Sequence, residues 1–357
     1  MREEAEETWG LIRATRANPP APAKTSPERR RTYGTALEQA QQMFRAAEAV
    51  GPETQPLLVF YGLSQAGRAI AAASASPLAA GDGWRLHGHG IYARALDGPL
   101  SEVLVRSDPA GDRGSFTRLS EILDSPLLPK AAKVRLEVLW DCIPENQIQP
   151  LSDNLTRRRT PLDVAARHLT DMIKLGRELD PHPLVTVGVW DFPPWVLNAG
   201  DPRKALDEYL AAFPEALPYH SYVRTHGGPD APPDFTRDVA GWGGLEMHWE
   251  VAEGVAGTVA ERVAVLDRIT RPYLGAPHFF PAIGGAARSV HPLMAWWAVL
   301  HALSMLARYE PDQWARHIDV DGDGSRAVAI EQLLREALTT VPQLITETIE
   351  HVAKPTT

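Results

Sequence analysis

The chain has 357 residues, 44% of them apolar and 23% charged, a balance that excludes a disordered polymer and leaves room for one large domain or two ordinary ones. Its 36 Lys and Arg against 45 Asp and Glu give a formal net charge of -9, which excludes broad, sequence-independent nucleic-acid affinity, because that rests on clustered cations neutralising phosphates. A single cysteine, Cys142, excludes an internal disulfide, and the amino terminus MREEAEETWGLIRATR has no apolar stretch behind its charges to act as a signal peptide. The longest strongly apolar run, Met294 to Leu306, is shorter than the roughly 20 residues a membrane span needs and is interrupted by His301. These features predict a cytoplasmic protein with no membrane segment, and the apolar run reads as a buried core helix.

Residues 1–32 open with a short helical candidate around Trp9 to Arg16 and continue into NPPAPAKTSPERRR, a Pro-rich stretch that reads as an arm or linker. From Thr32 to Ala49, Ala36, Ala40, Met43, Phe44 and Ala47 share one face at helical spacing, and Gly51-Pro52 ends the helix. The segment from about Gln55 to Ala80 is almost wholly apolar or small. It predicts a central helix on which Gly62, Ala66 and Gly67 let neighbours approach closely. After Gly81 the short alternating segments GWRLHGHGIYARA, GPLSEVLVRSD and GSFTRLSEIL follow strand and turn grammar, and Lys133 to Cys142 suits a strand or an edge helix.

Pro161 to Leu179 predicts a helix, with Leu162, Ala165, Leu169, Met172, Ile173 and Leu175 as its apolar positions, and PLVTVGVWDFPP predicts a buried strand. Helical spacing returns at Lys204 to Ala212. Tyr219 to Glu250 reads as strands and loops ending in the alternating LEMHWEV, and Glu253 to Val265 fits either type. Three helices close the chain, at Leu293 to Glu310, Ala327 to Leu338 and Pro342 to Val352. The expected architecture is α+β: an arm over 1–32, then a single domain over 33–357. In that domain the terminal helices of 33–80 and 291–352 pack together around a strand-rich middle, 81–290.

Three segments, FYGLSQAGRAIAAAS at 60–74, LHGHGI at 86–91 and HPLMAWWAVLHALSMLARYEPDQWARHIDVD at 291–321, together resemble the YaaC-like family of bacterial proteins, from roughly Thr32 to Val352. The resemblance implies a fold and brings with it no established activity and no catalytic residue set. A fainter likeness is to HEPN-type helical bundles, whose nucleases separate an Arg and a His by four to six residues. The pairs that meet this spacing, Arg177 with His182 and Arg271 with His278, contain proline and lie outside the three segments.

His87 and His89 would point to one side of an extended LHGHG segment, where two imidazoles could bind metal or steer protons. Alternatively, one of them bonds a buried carbonyl while the glycines serve a turn. His291, before Pro292, stands where a helix start can hold an anion or simply be capped. Arg68 and Arg308 lie in apolar helices, where a buried guanidinium demands a partner, Glu310 being one choice. The functional expectation gathers Arg68, His87, His89, His291 and Arg308 around one pocket between the terminal helices, suited to an anionic small molecule such as a nucleotide or phosphate.

DVDGDGS at 319–325 begins like a calcium loop but carries Ile330 where a bidentate glutamate is required. Trp296, Trp297, Trp314 and Tyr309 are better read as core than as a stacking platform. The chain has no GxSxG, Walker, GxGxxG, HExxH or CxxC motif, so no cofactor is expected. What remains is a ligand-binding or regulatory module acting on an anionic small molecule or a protein partner, against a nucleic-acid- or nucleotide-processing enzyme or a structural subunit.

Overall fold

The structure is a computed structural model that describes residues 2–166, 180–217, 219, 221–222, 232–252, 254–319, 321–322 and 326–355. The fold is α+β, as expected, and the chain forms two compact units. One unit contains Met1–Leu155, Ile283–Gly285 and Val290–Thr357; the other contains Thr156–Ala282 and Ala286–Ser289.

The stretch expected to be an arm is helical. Helix α1 (Arg2–Ala17) is amphipathic and buries Ala5, Trp9 and Ile12, with the Trp9 ring 5.4 Å from Phe44. Ser26 accepts the Arg29 N–H at 3.1 Å and Pro27 takes the first turn, so α2 (Pro27–Ala47) begins inside the Pro-rich run. It folds back onto α3 (Gln55–Ala73), which stops where Ser74 turns extended ahead of Pro77. The buried cation of this region is Arg29. Its guanidinium donates to Ala72 O at 2.8 Å, Ser74 O at 2.6 Å and Ala71 O at 3.4 Å, gathering the carbonyls at the C-terminal end of α3.

Next come β1 (Ile91–Arg94), β2 (Leu104–Ser107), α4 (Ser115–Ile122), β3 (Val134–Arg135) and α5 (Leu136–Trp140). The strands pair antiparallel in the order β1-β2-β3, with Ile91 opposite Ser107 and Leu104 opposite Arg135. Lys133 to Cys142 thus divides into a two-residue strand and a short helix.

The second unit starts its sheet with β4 (Leu162–Ala165), where a helix was expected. Leu162 and Val164 are buried alternately, and Val164 pairs with Val189, so the local period is two; residues 167–179 of that expected helix lie outside the described residues. The run PLVTVGVWDFPP gives β5 (Leu184–Phe192), followed by α6 (Pro194–Leu197), α7 (Pro202–Leu210), β6 (Ser221–Tyr222), β7 (Thr236–Arg237) and β8 (Gly243–Glu250). A capping box between Thr258 and Glu261 starts α8 (Val259–Ile269), deciding the ambiguous segment, and β9 (Arg271–Tyr273) and β10 (Ala276–Phe279) close the unit. Strand order is β6-β8-β5-β4-β10-β9, with β7 on β8. The core sets Val185, Val187 and Val189 with Met247, Trp249 and Tyr209.

The chain then returns to the first unit as α9 (Pro292–Tyr309), α10 (Pro311–Ile318) and α11 (Ala327–Val352). Every residue from Pro292 to Ser304 is buried, as a core helix requires. The two helices expected around Pro342 are one: the proline costs a helical hydrogen bond, and burial of Val341, Pro342, Leu344 and Ile345 offsets it. Helices α9 and α11 both pack on α3, and α1 packs on α11, so the two ends of the chain meet in one core. Gly62 and Gly67 permit this closeness. A Cβ at Gly62 would stand 2.7 Å from the Phe44 ring, and one at Gly67 would stand 2.5 Å from the Trp297 ring. Among the described residues no helix is long and apolar enough to cross a membrane.

Candidate functional site

A cavity of about 380 Å³ opens in the helical unit, walled by α3, the His89–Gly90 turn, β1 and α9. Helix α3 contributes Leu57, Phe60 and Tyr61; α9 contributes His301, Ser304, Met305 and Arg308, spaced i, i+3, i+4 and i+7 so that all four fall on one face. That face carries three polar groups into an otherwise apolar helix. Arg94 and Tyr309 complete the rim, and no lining residue among those described is a carboxylate.

Phe60 organises the interior. Its ring centroid lies 5.0 Å from His301, 5.6 Å from His89 and 5.6 Å from Tyr61, and the two imidazoles are 6.3 Å apart. Although His89 is exposed as a residue, its ring rests against Phe60; the resulting desolvation, then Arg308, then Arg68, hold its pKa below the usual histidine value. His301 is only 2% exposed, and burial followed by the neighbouring His89 drives its pKa down to about 3. It is therefore a neutral imidazole across the physiological range, and neither ring nitrogen has a hydrogen-bond partner. Arg308 donates to the Tyr61 hydroxyl at 2.9 Å and lies 5.0 Å from the Tyr309 ring, which fixes the guanidinium at the mouth.

Of the residues singled out from sequence, His89 and Arg308 line the cavity. Arg68, two turns beyond Tyr61 on α3, acts on His89 through space. Arg68 and Arg308 are both exposed, contrary to the expectation that their apolar helices bury them: each lies on the one open face of its helix. His87 and His291 are not cavity residues. Gly88 and Gly90 adopt φ of +59° and +68°, which breaks the alternation that would have aligned His87 with His89. Gly90 serves a close approach by the Gly114 backbone, and the His87 N–H donates to Arg113 O at 2.9 Å. His291 is buried and caps α9, its Nδ1 accepting the Leu293 N–H at 3.2 Å while its own N–H donates to Ser125 Oγ at 3.0 Å.

Sequence reasoning passed over His301, Phe60 and Tyr61. The available signal was the polar stripe 301, 304 and 308 on a helix that is otherwise apolar.

The other constellations have structural roles among the described residues. Arg271 and His278 face each other across β9 and β10 in the second unit, where Arg271 donates to Ser289 and His278 stands 3.8 Å from Asp163. His182 bonds its own turn at Leu184, and Arg177 lies outside the described residues. Asp319 accepts the N–H groups of Asp321 and Gly322, and no group of three metal-binding side chains occurs among the described residues. Trp296, Trp297 and Trp314 are core. Cys142 is buried, its thiol pushed well up by desolvation and held on Val138 O.

The family model described as YaaC-like Protein matches residues 6–349. The chain belongs to the YaaC-like family. Searches of the curated proteins and of the solved structures each find no match. In this YaaC-like chain the matched span includes every residue of the cavity.

Proposed function

We propose that this YaaC-like protein is a binding module for a small anionic ligand, held in the cavity between α3, α9 and β1. The observation that carries the reading is electrostatic. In a chain of net charge -9, this cavity with its aromatic interior has Arg94 and Arg308 on its walls, Arg68 close by and, among the described residues, no carboxylate. Arginines kept free of acidic partners at the mouth of a concave, partly apolar site suit an anion, which would replace their water with charge-assisted hydrogen bonds. The volume suits a single small molecule and not a polymer.

The test is isothermal titration calorimetry against inorganic phosphate, mononucleotides and aromatic carboxylates. Binding of at least one of these, weakened about tenfold or more by Arg308→Gln, is expected, since a charge-assisted hydrogen bond contributes about 1.5–3 kcal/mol. Absence of binding across the panel, or binding indifferent to Arg308→Gln and Arg68→Gln alike, refutes the reading.

A further inference from the structure

A second cleft of the helical unit, about 660 Å³, lies between the last turn of α1, the short 3₁₀ helix Ala21–Lys24 and the outer face of α2. Arg16, Lys24, Arg30 and Arg31 line it, and its one carboxylate among the described residues is Glu38. Both oxygens of Glu38 are engaged within the chain: one accepts from Arg16 and the other from Gln42 at 2.9 Å. Lys24 donates to a neutral partner, Asn18 Oδ1, at 2.6 Å. The side chains of Arg30 and Arg31 are exposed and make no hydrogen bond or ion pair among the described residues. Their neighbour Arg29 instead turns inward onto carbonyls at the end of α3. Three cations thus face one concave surface in a chain of net charge -9, and like charges so gathered repel one another unless an anion neutralises them.

Gly34 lies on the floor of the same cleft, one turn beyond Arg30. Glycine inside a helix is disfavoured relative to alanine, and at Gly62 and Gly67 the rings of Phe44 and Trp297 supply the reason for it. Nothing in the chain does so at Gly34, where a Cβ would meet no atom within 4 Å. The bare backbone there leaves room for a group from outside the chain to approach closely.

The lining selects the ligand's chemistry. No aromatic side chain lines the cleft among the described residues, so a base finds no stacking platform. Guanidinium forks match phosphate oxygens bidentately. A single phosphate group carries about two negative charges near neutral pH, so three free cations are better balanced by two or three linked phosphates.

We propose that this cleft binds an oligophosphate, free or as the polyphosphate tail of a nucleotide, with Lys24, Arg30 and Arg31 holding the phosphates over the Gly34 backbone. The site shares no residue with the cavity between α3 and α9, and neither reading depends on the other.

The experiment is calorimetry on the full chain without divalent metal, comparing orthophosphate, pyrophosphate, tripolyphosphate, ATP and a hexaglutamate peptide. Tripolyphosphate is expected to bind about tenfold or more tightly than orthophosphate and hexaglutamate. The double variant Arg30→Gln, Arg31→Gln removes two exposed, unpartnered charges and is expected to weaken tripolyphosphate about tenfold or more, whereas Arg308→Gln leaves it unchanged. Gly34→Leu, which fills the floor with a good helix former, is expected to cause a similar loss while the melting temperature holds or rises. ATP separates the two sources of the ligand: affinity equal to that of tripolyphosphate assigns the site to any terminal polyphosphate, and affinity about tenfold weaker assigns it to the free oligophosphate. Tripolyphosphate binding that ignores the Arg30 and Arg31 changes, or that is lost only with Arg308→Gln, overturns this site and leaves the anion cavity standing. Hexaglutamate binding as tightly as tripolyphosphate overturns the phosphate assignment in favour of an acidic protein segment. Full affinity in Gly34→Leu overturns the placement on the cleft floor, and silence from every phosphate overturns the proposal outright.

Discussion

Replacing His301 with Phe should make the helical unit less sensitive to acid. In the unfolded chain this imidazole titrates near its ordinary value of 6.5, whereas in the folded chain burial holds it at about 3. Between those values the unfolded state binds one proton that the folded state refuses, so stability is fully present above about pH 6.5 and is lost as pH falls toward about 3. Integrating one proton from about pH 7.5 to about pH 5 gives a loss of about 2 kcal/mol from this side chain, and its near-complete burial leaves little solvent screening to reduce the figure. The remaining histidines are common to both proteins and cancel in the comparison. At about pH 7.5 the variant should also be the more stable of the two, since it no longer buries two unpartnered nitrogens, a cost of about 1–3 kcal/mol. The assay is hydrogen exchange of the α9 amides at both pH values, which reports opening of the unit that holds residue 301 without requiring that the two units unfold together. Equal acid sensitivity of the two proteins would show that position 301 is hydrated or paired in the folded state, and would remove the basis for treating it as a neutral, unpartnered imidazole.

Gly67→Ala should destabilise the helical unit by about 1–3 kcal/mol, because the new methyl would stand 2.5 Å from the Trp297 ring in a packed core; Gly34→Ala on α2, where nothing lies within 4 Å, should instead stabilise by up to about 1 kcal/mol. Thermal melts of the two variants check the pair, and the same sign of shift for both would contradict the packing described. Cys142 should resist iodoacetamide in the native protein and react fully in denaturant, because its thiol is buried and its pKa is raised. Native labelling at the rate of a free thiol, followed by mass spectrometry, would disprove that burial.

The sequence by itself determined the elements whose cause is local or periodic. The core helix from Leu293 to Glu310 was legible because its apolar residues surround the whole helix, and α3 because small residues recur where Phe44 and Trp297 come close. The buried strand at 184–192 showed its alternation, and the family was legible in the order of three segments. Pattern failed where distant packing overrides it. Leu162 and Ala165 fit a helical stripe, yet pairing with β5 and β10 makes that stretch a strand; Pro342 signals a break, yet burial on both sides carries α11 through it. The Pro-rich start reads as a linker until Trp9 is seen against Phe44, a contact between residues 35 apart in sequence.

Only the tertiary structure decided the candidate site. Histidines and arginines are visible in any sequence, but exposure and company are not. Arg68 and Arg308 look alike in a helical window to Arg29, which alone of the three is buried and bonded to carbonyls. His87 and His89 looked equivalent until backbone φ at Gly88 and Gly90 separated them, and of the two readings of His291 the structure shows the helix cap. His301 was visible only as an interruption of an apolar run. Its significance comes from Phe60 and His89, which approach it from positions more than 200 residues earlier in the chain. Desolvation depends on what surrounds a group in space, and that is set by long-range packing and not by its neighbours in sequence.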